Sequence, residues 1–302
     1  MQQLLRQYML PIAMIIGVFF YKQLAILAPL IPYLLFIMLF ITYSRILLRD
    51  IRLTKFHYIL LSIQYGGSIL VYLLFFKFNI TLAQAAMMCV LAPTAASAPI
   101  ITGLLGGNIS TIAAYSFISN LSIGLLSPLF LALIGDTSAE SIAFIPSVLS
   151  IFKKVLPVLI LPFILALVLE KVSPASHLKV RSAQIVSFYL WAIALTIVIS
   201  RVTMFISIQS NSSHTLEIVI AGTALIICLL QFWLGRRIGA KFNRTVSGGQ
   251  GLGQKNTVLA IWLTQTYLNP IASIGPGAYV LWQNLVNSYQ LWRKERIIEE
   301  EK

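Results

Sequence analysis

Charge is scarce in this chain. Asp, Glu, Lys and Arg make up 10% of its 302 residues, and only nine residues are acidic. That poverty of charge, beside 58% hydrophobic residues and a mean hydropathy of +0.87, lies far outside the range of soluble globular domains. The two cysteines, Cys89 and Cys228, both sit inside apolar runs, where a thiol behaves as a small hydrophobe, so no disulfide framework is expected. The three histidines, His57, His177 and His214, are distant from one another and lack ligand spacing, which speaks against a metal site. No nucleophile stands beside a base, and the glycine run at 248–253 lacks the strand and helix context of a phosphate-binding loop. Neither an enzyme nor a cofactor is expected. Glu295 and Glu299 to Glu301, mixed with Arg and Lys, read as a solvated tail.

What the chain has is apolar length. Crossing a bilayer takes about 20 apolar residues per helix, and ten spans can be drawn, at 8–21, 25–43, 56–76, 82–105, 109–135, 147–170, 182–206, 215–235, 248–268 and 270–292. The connecting loops are short, so residues 1–302 form one membrane domain whose partner is the lipid bilayer. The first run, Tyr8 to Phe20, lacks a convincing cleavage site for a signal peptide and reads as a retained helix.

The net charge of +13 finds its explanation in topology rather than in nucleic acid. With a cytoplasmic N-terminus, one side collects Arg6, Arg45, Arg49, Arg52, Lys55, Lys171, Lys179, Arg181, Arg236, Arg237, Lys241, Arg244, Arg293, Lys294, Arg296 and Lys302. The other side holds Lys22, Lys77, Lys153, Lys154 and Arg201. Sixteen against five, with Lys255 inside the membrane, accounts for all 22 basic residues and puts both termini of a multi-pass protein in the cytoplasm. Lys153 and Lys154 are expected to snorkel at the outer interface.

Five spans followed by five is the arithmetic of an inverted repeat, here 1–135 and 147–292, because an odd number per half turns the second half over. A Leu-Pro step opens each half, at Leu10-Pro11 and Leu156-Pro157. The fourth and ninth spans are the most interrupted. One carries Pro93-Thr94-Ala95-Ala96-Ser97-Ala98-Pro99, the other Gly248-Gly249-Gln250-Gly251-Leu252-Gly253-Gln254-Lys255-Asn256. Pro removes a backbone donor, Gly weakens a helix by about 1 kcal/mol, and non-helical backbone at membrane depth survives only where protein or water satisfies it. Paired interruptions therefore point to a shared internal site; simple kinks, or a cytoplasmic loop at the ninth span, are the plainer alternative. Lys255 sharpens the choice, because an ammonium at membrane depth usually marks a substrate or ion path.

These stretches resemble the bile acid:sodium symporter superfamily. Pro93 to Pro99 is similar to that family's P-G-G-x-x-S-N, followed by Gly106-Gly107-Asn108 and a long fifth span ending Ser127-Pro128. Gly253 to Asn256 resembles its G-x-Q-N, and Ala272 to Ala278 with Trp282-Gln283-Asn284 resembles its tenth span. Gln64 is similar to the third-span glutamine. The resemblance covers about residues 87–130 and 253–292. It implies an all-α fold of ten helices with crossing, unwound fourth and ninth helices, and secondary transport of organic anions across a bacterial-type inner membrane.

The departures are informative. The family holds two sodium ions with a Ser-Asn pair, hydroxyls of the fifth span, a Glu and a Gln. Here the Ser-Asn positions fall on Ala98 and Pro99, the Glu on Gly251 or Gln250, and the Gln on Lys255. A hard cation needs a cage of oxygens, and an ammonium inside that cage repels it, so two-sodium coupling is not expected. Two sodium ions and one glutamate sum to one positive charge, as does a lone lysine. Lys255 is accordingly expected to replace the ions, lying between Pro93 and Pro99 and presenting one positive charge to a small organic anion. Proton coupling stays open, since a desolvated ammonium gives up its proton more readily than one in water.

Around Lys255, Gln64 and Asn256 would supply amide groups, though membrane helices also pack on such amides. Ser116 and Asn120 lie one turn apart and would line the former first sodium site. Thr94 and Ser97 would either cap half-helices or meet a substrate anion. Gln254, and in the resemblance Gln283 and Asn284, complete the binding candidates, with Pro93, Pro99, Gly251 and Gly253 shaping the crossover backbone. Two other readings stand beside transport of an organic anion: metalloid efflux of the arsenite type with Cys89 as thiol ligand, and a non-transporting membrane sensor.

Overall fold

The computed structural model describes residues 2–45, 51–135, 144–208 and 214–300. These are about 87% helical, and among them the sole extended pairing is an isolated antiparallel bridge between Thr94 and Lys255. The chain divides into two compact units, each assembled from three stretches drawn from both halves of the sequence. The first unit takes 1–47, 124–213 and 261–273; the second takes 48–123, 214–260 and 274–302.

In chain order the helices are α1 (Gln2–Phe19), α2 (Tyr21–Leu24), α3 (Ile31–Tyr43), α4 (Lys55–Phe75), α5 (Ile80–Leu91), α6 (Ala98–Leu104) and α7 (Ile109–Ile134). Then come α8 (Phe144–Leu159), α9 (Leu161–Val172), α10 (Pro174–Ser182), α11 (Gln184–Ile208), α12 (Thr215–Ala240), α13 (Thr245–Gly253), α14 (Thr257–Tyr267) and α15 (Ile274–Glu300). Among the described residues, six helical segments are long and apolar enough to cross a membrane: Tyr21–Tyr43, Lys55–Phe75, Ile109–Ile134, Phe144–Val172, Gln184–Ile208 and Thr215–Ala240. They coincide with the second, third, fifth, sixth, seventh and eighth spans drawn from the sequence. The runs at 82–105 and 248–268 are instead each split into two helices.

In the first unit α1 and α3 pack on α11, and α3 also meets α8 and α9. Gly17 lets α1 approach closely, since a Cβ there would lie 2.8 Å from the Thr196 carbonyl oxygen.

The second unit is built around α5, whose residues Thr81 to Leu91 are all buried. A helix apolar on every side must be enclosed, and α4, α12 and α15 enclose it. Local signals set its boundaries. Thr54 and His57 form a reciprocal capping box at the start of α4, Asn79 accepts from Leu82 N at 2.9 Å to open α5, and Asn108 accepts from Thr111 N at 2.9 Å to open α7. The turn before α7 needs Gly106, whose φ of +80° suits glycine. His57 is 1% exposed, its Nδ1 accepting from Thr54 N while Nε2–H reaches Thr111 O at 3.1 Å; the imidazole is a tie between α4 and α7.

One expectation about backbone is corrected here. The glycine run does not interrupt the ninth segment, because Gly248, Gly249, Gly251 and Gly253 all lie inside α13, and the break is confined to Gln254, Lys255 and Asn256. The glycines serve close packing. A Cβ on Gly235 would stand 2.2 Å from Gly248 O, one on Gly248 would stand 2.1 Å from Gly235 O, and one on Gly253 would enter the Phe232 ring. The sequence Gly235-x-x-x-Gly239 on α12 thus forms a small-residue seam against α13, which lets two backbones touch without a hydrophobic driving force.

Candidate functional site

The site begins with two helix breaks that find each other. α5 ends at Leu91 and α6 starts at Ala98; α13 ends at Gly253 and α14 starts at Thr257. Each break leaves orphan carbonyls at the end of the preceding helix, and in an apolar setting every one of them needs a donor. Part of the demand is met backbone to backbone. Ala95 N donates to Gln254 O at 2.9 Å and Asn256 N donates to Pro93 O at 2.7 Å, so the two breaks run antiparallel across each other.

Side chains meet the rest, and the carbonyls at the end of α5 are satisfied in sequence. Cys89 O accepts from Gln231 Nε2 at 3.2 Å, Val90 O from Lys255 Nζ at 2.8 Å, Leu91 O from Gln64 Nε2 at 2.8 Å and Ala92 O from Gln64 Nε2 at 3.3 Å. Thr94 O accepts from Asn120 Nδ2 at 2.8 Å and Ser116 Oγ at 3.3 Å, confirming that one turn of α7 aims both residues the same way. On the other break, Gly251 O accepts from Thr94 Oγ1 at 2.7 Å and Gly253 O from Tyr279 OH at 2.9 Å. Gln283 clamps Lys255 like a neighbouring strand: its Oε1 accepts from Lys255 N at 2.8 Å and its Nε2 donates to Lys255 O at 3.3 Å.

Lys255 is 1% exposed, and among the described residues it has no ion-pair partner. Its backbone pairs with Thr94, between Pro93 and Pro99 as expected from the sequence, and its buried ammonium reaches back to the last turn of α5, donating to Val90 O. The reason is electrostatic. The C-terminal end of a helix concentrates partial negative charge on its free carbonyls, and a cation there both bonds and complements the dipole. Cys89 and Cys228 are packed in one apolar cluster with Phe232 and Tyr279.

The other candidates are placed as follows. Gln64, 0% exposed, spends all its capacity: besides its two donations it accepts from Tyr115 OH and Ser119 Oγ, each at 2.9 Å. Asn256 is half-buried and caps α14, accepting from Leu259 N at 3.3 Å. Thr94 caps the C-terminal end of the half-helix α13, its hydroxyl donating to Gly251 O. Ser97 occupies the N-cap position of α6 yet makes no cap bond; it is exposed, and its Oγ accepts from Gln254 Nε2 at 3.2 Å. Pro99 belongs to the first turn of α6, where its missing N–H costs nothing, while Pro93 stands in the break. Asn284 turns to its own helix, donating to Val280 O at 2.6 Å, and does not join the cluster.

Five members were not read from the sequence as a site: Ser119, Tyr115, Asn287, Gln231 and Tyr279. Spacing carried a signal for two of them. Ser119 shares a face with Ser116 and Asn120, and Asn287 follows Gln283 by one turn, as Gln254 follows Gln250. The arrangement ties two broken helices together through hydrogen bonds and holds the Lys255 ammonium on the end of α5, with Ser97 exposed and Asn256 half-buried beside the breaks. No known family model matches the chain, and no curated protein matches it.

Proposed function

We propose that the chain is a secondary transporter of a small organic anion, working by alternating access with Lys255 in the place of bound sodium ions. Ten membrane spans in two inverted five-helix repeats, in a bacterial-type inner membrane with both termini cytoplasmic, go with this reading. The observation that carries it is the antiparallel pairing of two broken helices at corresponding places in the two halves, with a buried ammonium on the carbonyls of one of them. Discontinuous helices that meet in this way are the usual scaffold of substrate sites in transporters. Non-helical backbone inside a bilayer persists only where protein or a water-filled cavity satisfies its polar groups.

In this reading the ammonium acts from behind the site. At 1% exposure it does not touch a ligand directly; it holds the end of α5 in place and lends its field to the open side. The resemblance to the bile acid:sodium symporter superfamily supports the organic anion class. Metalloid efflux is less well supported, because Cys89 is 2% exposed in an apolar cluster rather than aimed into a polar one.

The test is uptake into proteoliposomes holding the full chain, with radiolabelled benzoate, lactate and taurocholate and with imposed sodium or proton gradients. Uptake of an anion without a sodium gradient, lost in Lys255→Ala, is expected. Uptake indifferent to a pH gradient and intact in Lys255→Gln would sink the role given to the lysine. Absence of flux for every anion would favour a sensor.

A further inference from the structure

A second set of hydrogen bonds leaves the crossover in one direction. Gln250 Nε2 donates to Asn287 Oδ1 at 2.8 Å, Asn287 Nδ2 donates to Gln254 Oε1, and Gln254 Nε2 donates to Ser97 Oγ at 3.2 Å. The three amides are 1%, 3% and 3% exposed, and the chain they form ends on an exposed hydroxyl. At its inner end Gln250 Oε1 is buried and has no hydrogen-bond partner among the described residues.

We propose that Gln250, Asn287 and Gln254 form a one-way relay that turns the Ser97 hydroxyl proton outward, making Ser97 the donor that recognises a carboxylate; this rests on the transport reading above. A primary amide that accepts on its oxygen donates more strongly from its nitrogen, so successive bonds in one direction reinforce one another. Ser97 Oγ already accepts from the last amide. Its own proton therefore points away from Gln254, and the absence of a cap bond to α6 leaves the hydroxyl free for a ligand. A ligand that meets an outward O–H must bring an acceptor, and the buried ammonium of Lys255, the residue that follows Gln254, selects an anionic one. Ser97 touches the ligand; Gln250, Asn287 and Gln254 are positioning residues.

The polarity can be reversed without changing shape. Asn287→Asp is isosteric and, as the carboxylate, only accepts, so Gln254 must turn its Nε2 inward and its carbonyl toward Ser97, which draws the hydroxyl proton away from the ligand. In proteoliposome uptake of the same three carboxylates, Ser97→Ala raises KM about tenfold with kcat unchanged, the weight of one hydrogen bond to a charged group. Ser97→Thr restores the wild-type value. Asn287→Asp raises KM as much as Ser97→Ala, and the double variant raises it no further. A wild-type KM in Asn287→Asp, or additive effects in the double variant, overturns the relay.

A second measurement needs no substrate. In Ser97→Cys, an amide N–H directed at the sulfur stabilises the thiolate that reacts with sulfonatoethyl methanethiosulfonate. Adding Asn287→Asp slows that labelling about tenfold at neutral pH, the weight of one such bond. Equal rates overturn the relay whether or not any anion is transported. Slowed labelling with no uptake of any carboxylate overturns the substrate assignment and the transport reading while the relay itself holds.

Discussion

Replacing Lys255 by methionine separates its structural work from its charge. Methionine keeps an apolar stem as far as Cε, with sulfur in place of Cδ, and lacks the Nζ that donates to Val90 O at 2.8 Å. The stranded carbonyl costs about 1–3 kcal/mol, and losing a cation at the end of α5 costs up to about 2 kcal/mol more. In the opposite direction, the variant no longer buries an ammonium, which insertion scales put at about 2.5–3.5 kcal/mol for lysine at the centre of a span. The two sides nearly cancel, leaving a net change within about 2.5 kcal/mol of either sign. The variant should therefore fold, and its melting temperature in detergent should stay within several degrees of wild type. Uptake, if the cation has the role proposed, should be lost. Two results refute the reasoning: full uptake in a folded Lys255→Met, which leaves the charge without a function, and a chain that does not fold, which makes the ammonium a strut whose removal the surroundings cannot absorb.

Two glycines of α12 give a matched pair. Gly235→Ala drives a Cβ to 2.2 Å from the Gly248 carbonyl and should destabilise by about 1–3 kcal/mol, because backbone cannot turn aside as a side chain can. Gly222→Ala, with nothing within 4 Å, should be neutral or stabilise by up to about 1 kcal/mol; thermal unfolding in detergent reads both. Gln64→Leu leaves the Leu91 and Ala92 carbonyls without their donor and should cost about 2–6 kcal/mol at 1–3 for each carbonyl, whereas Asn284→Leu, which gives up only a bond to its own helix, should stay within about 1 kcal/mol. Equal losses in that second pair would mean that the breaks do not depend on side-chain donors. Asn108→Ala removes the N-cap of α7 and should lower stability by about 1 kcal/mol, visible as faster amide exchange at Thr111.

Much of the fold was legible in one dimension. Apolar runs of bilayer length became helices, and Pro93 marked the break after α5. Proline acts through its own missing donor, so its effect is local and readable. The glycine run misled for the converse reason: glycine permits a break but also permits contact, and only the neighbour on α12 decides between the two. Ser116, Asn120 and Gln64 could be nominated because polar residues in apolar helices are few. Their partners could not, since each bonds a carbonyl more than twenty residues away in sequence.

The same division applies to the lysine. Composition and apolar length determine by themselves that this chain is a membrane-class helical protein, that its fourth and ninth segments are broken, and that one ammonium lies among apolar residues. These follow from properties that each residue carries alone: transfer energy, a missing N–H, a charge. The tertiary structure decided that the two breaks cross, that Lys255 turns to the free end of α5 rather than into the opening, and that a chain of amides ends on Ser97. A hydrogen bond depends on position and direction to within fractions of an ångström, and those are properties of the packed chain rather than of its order.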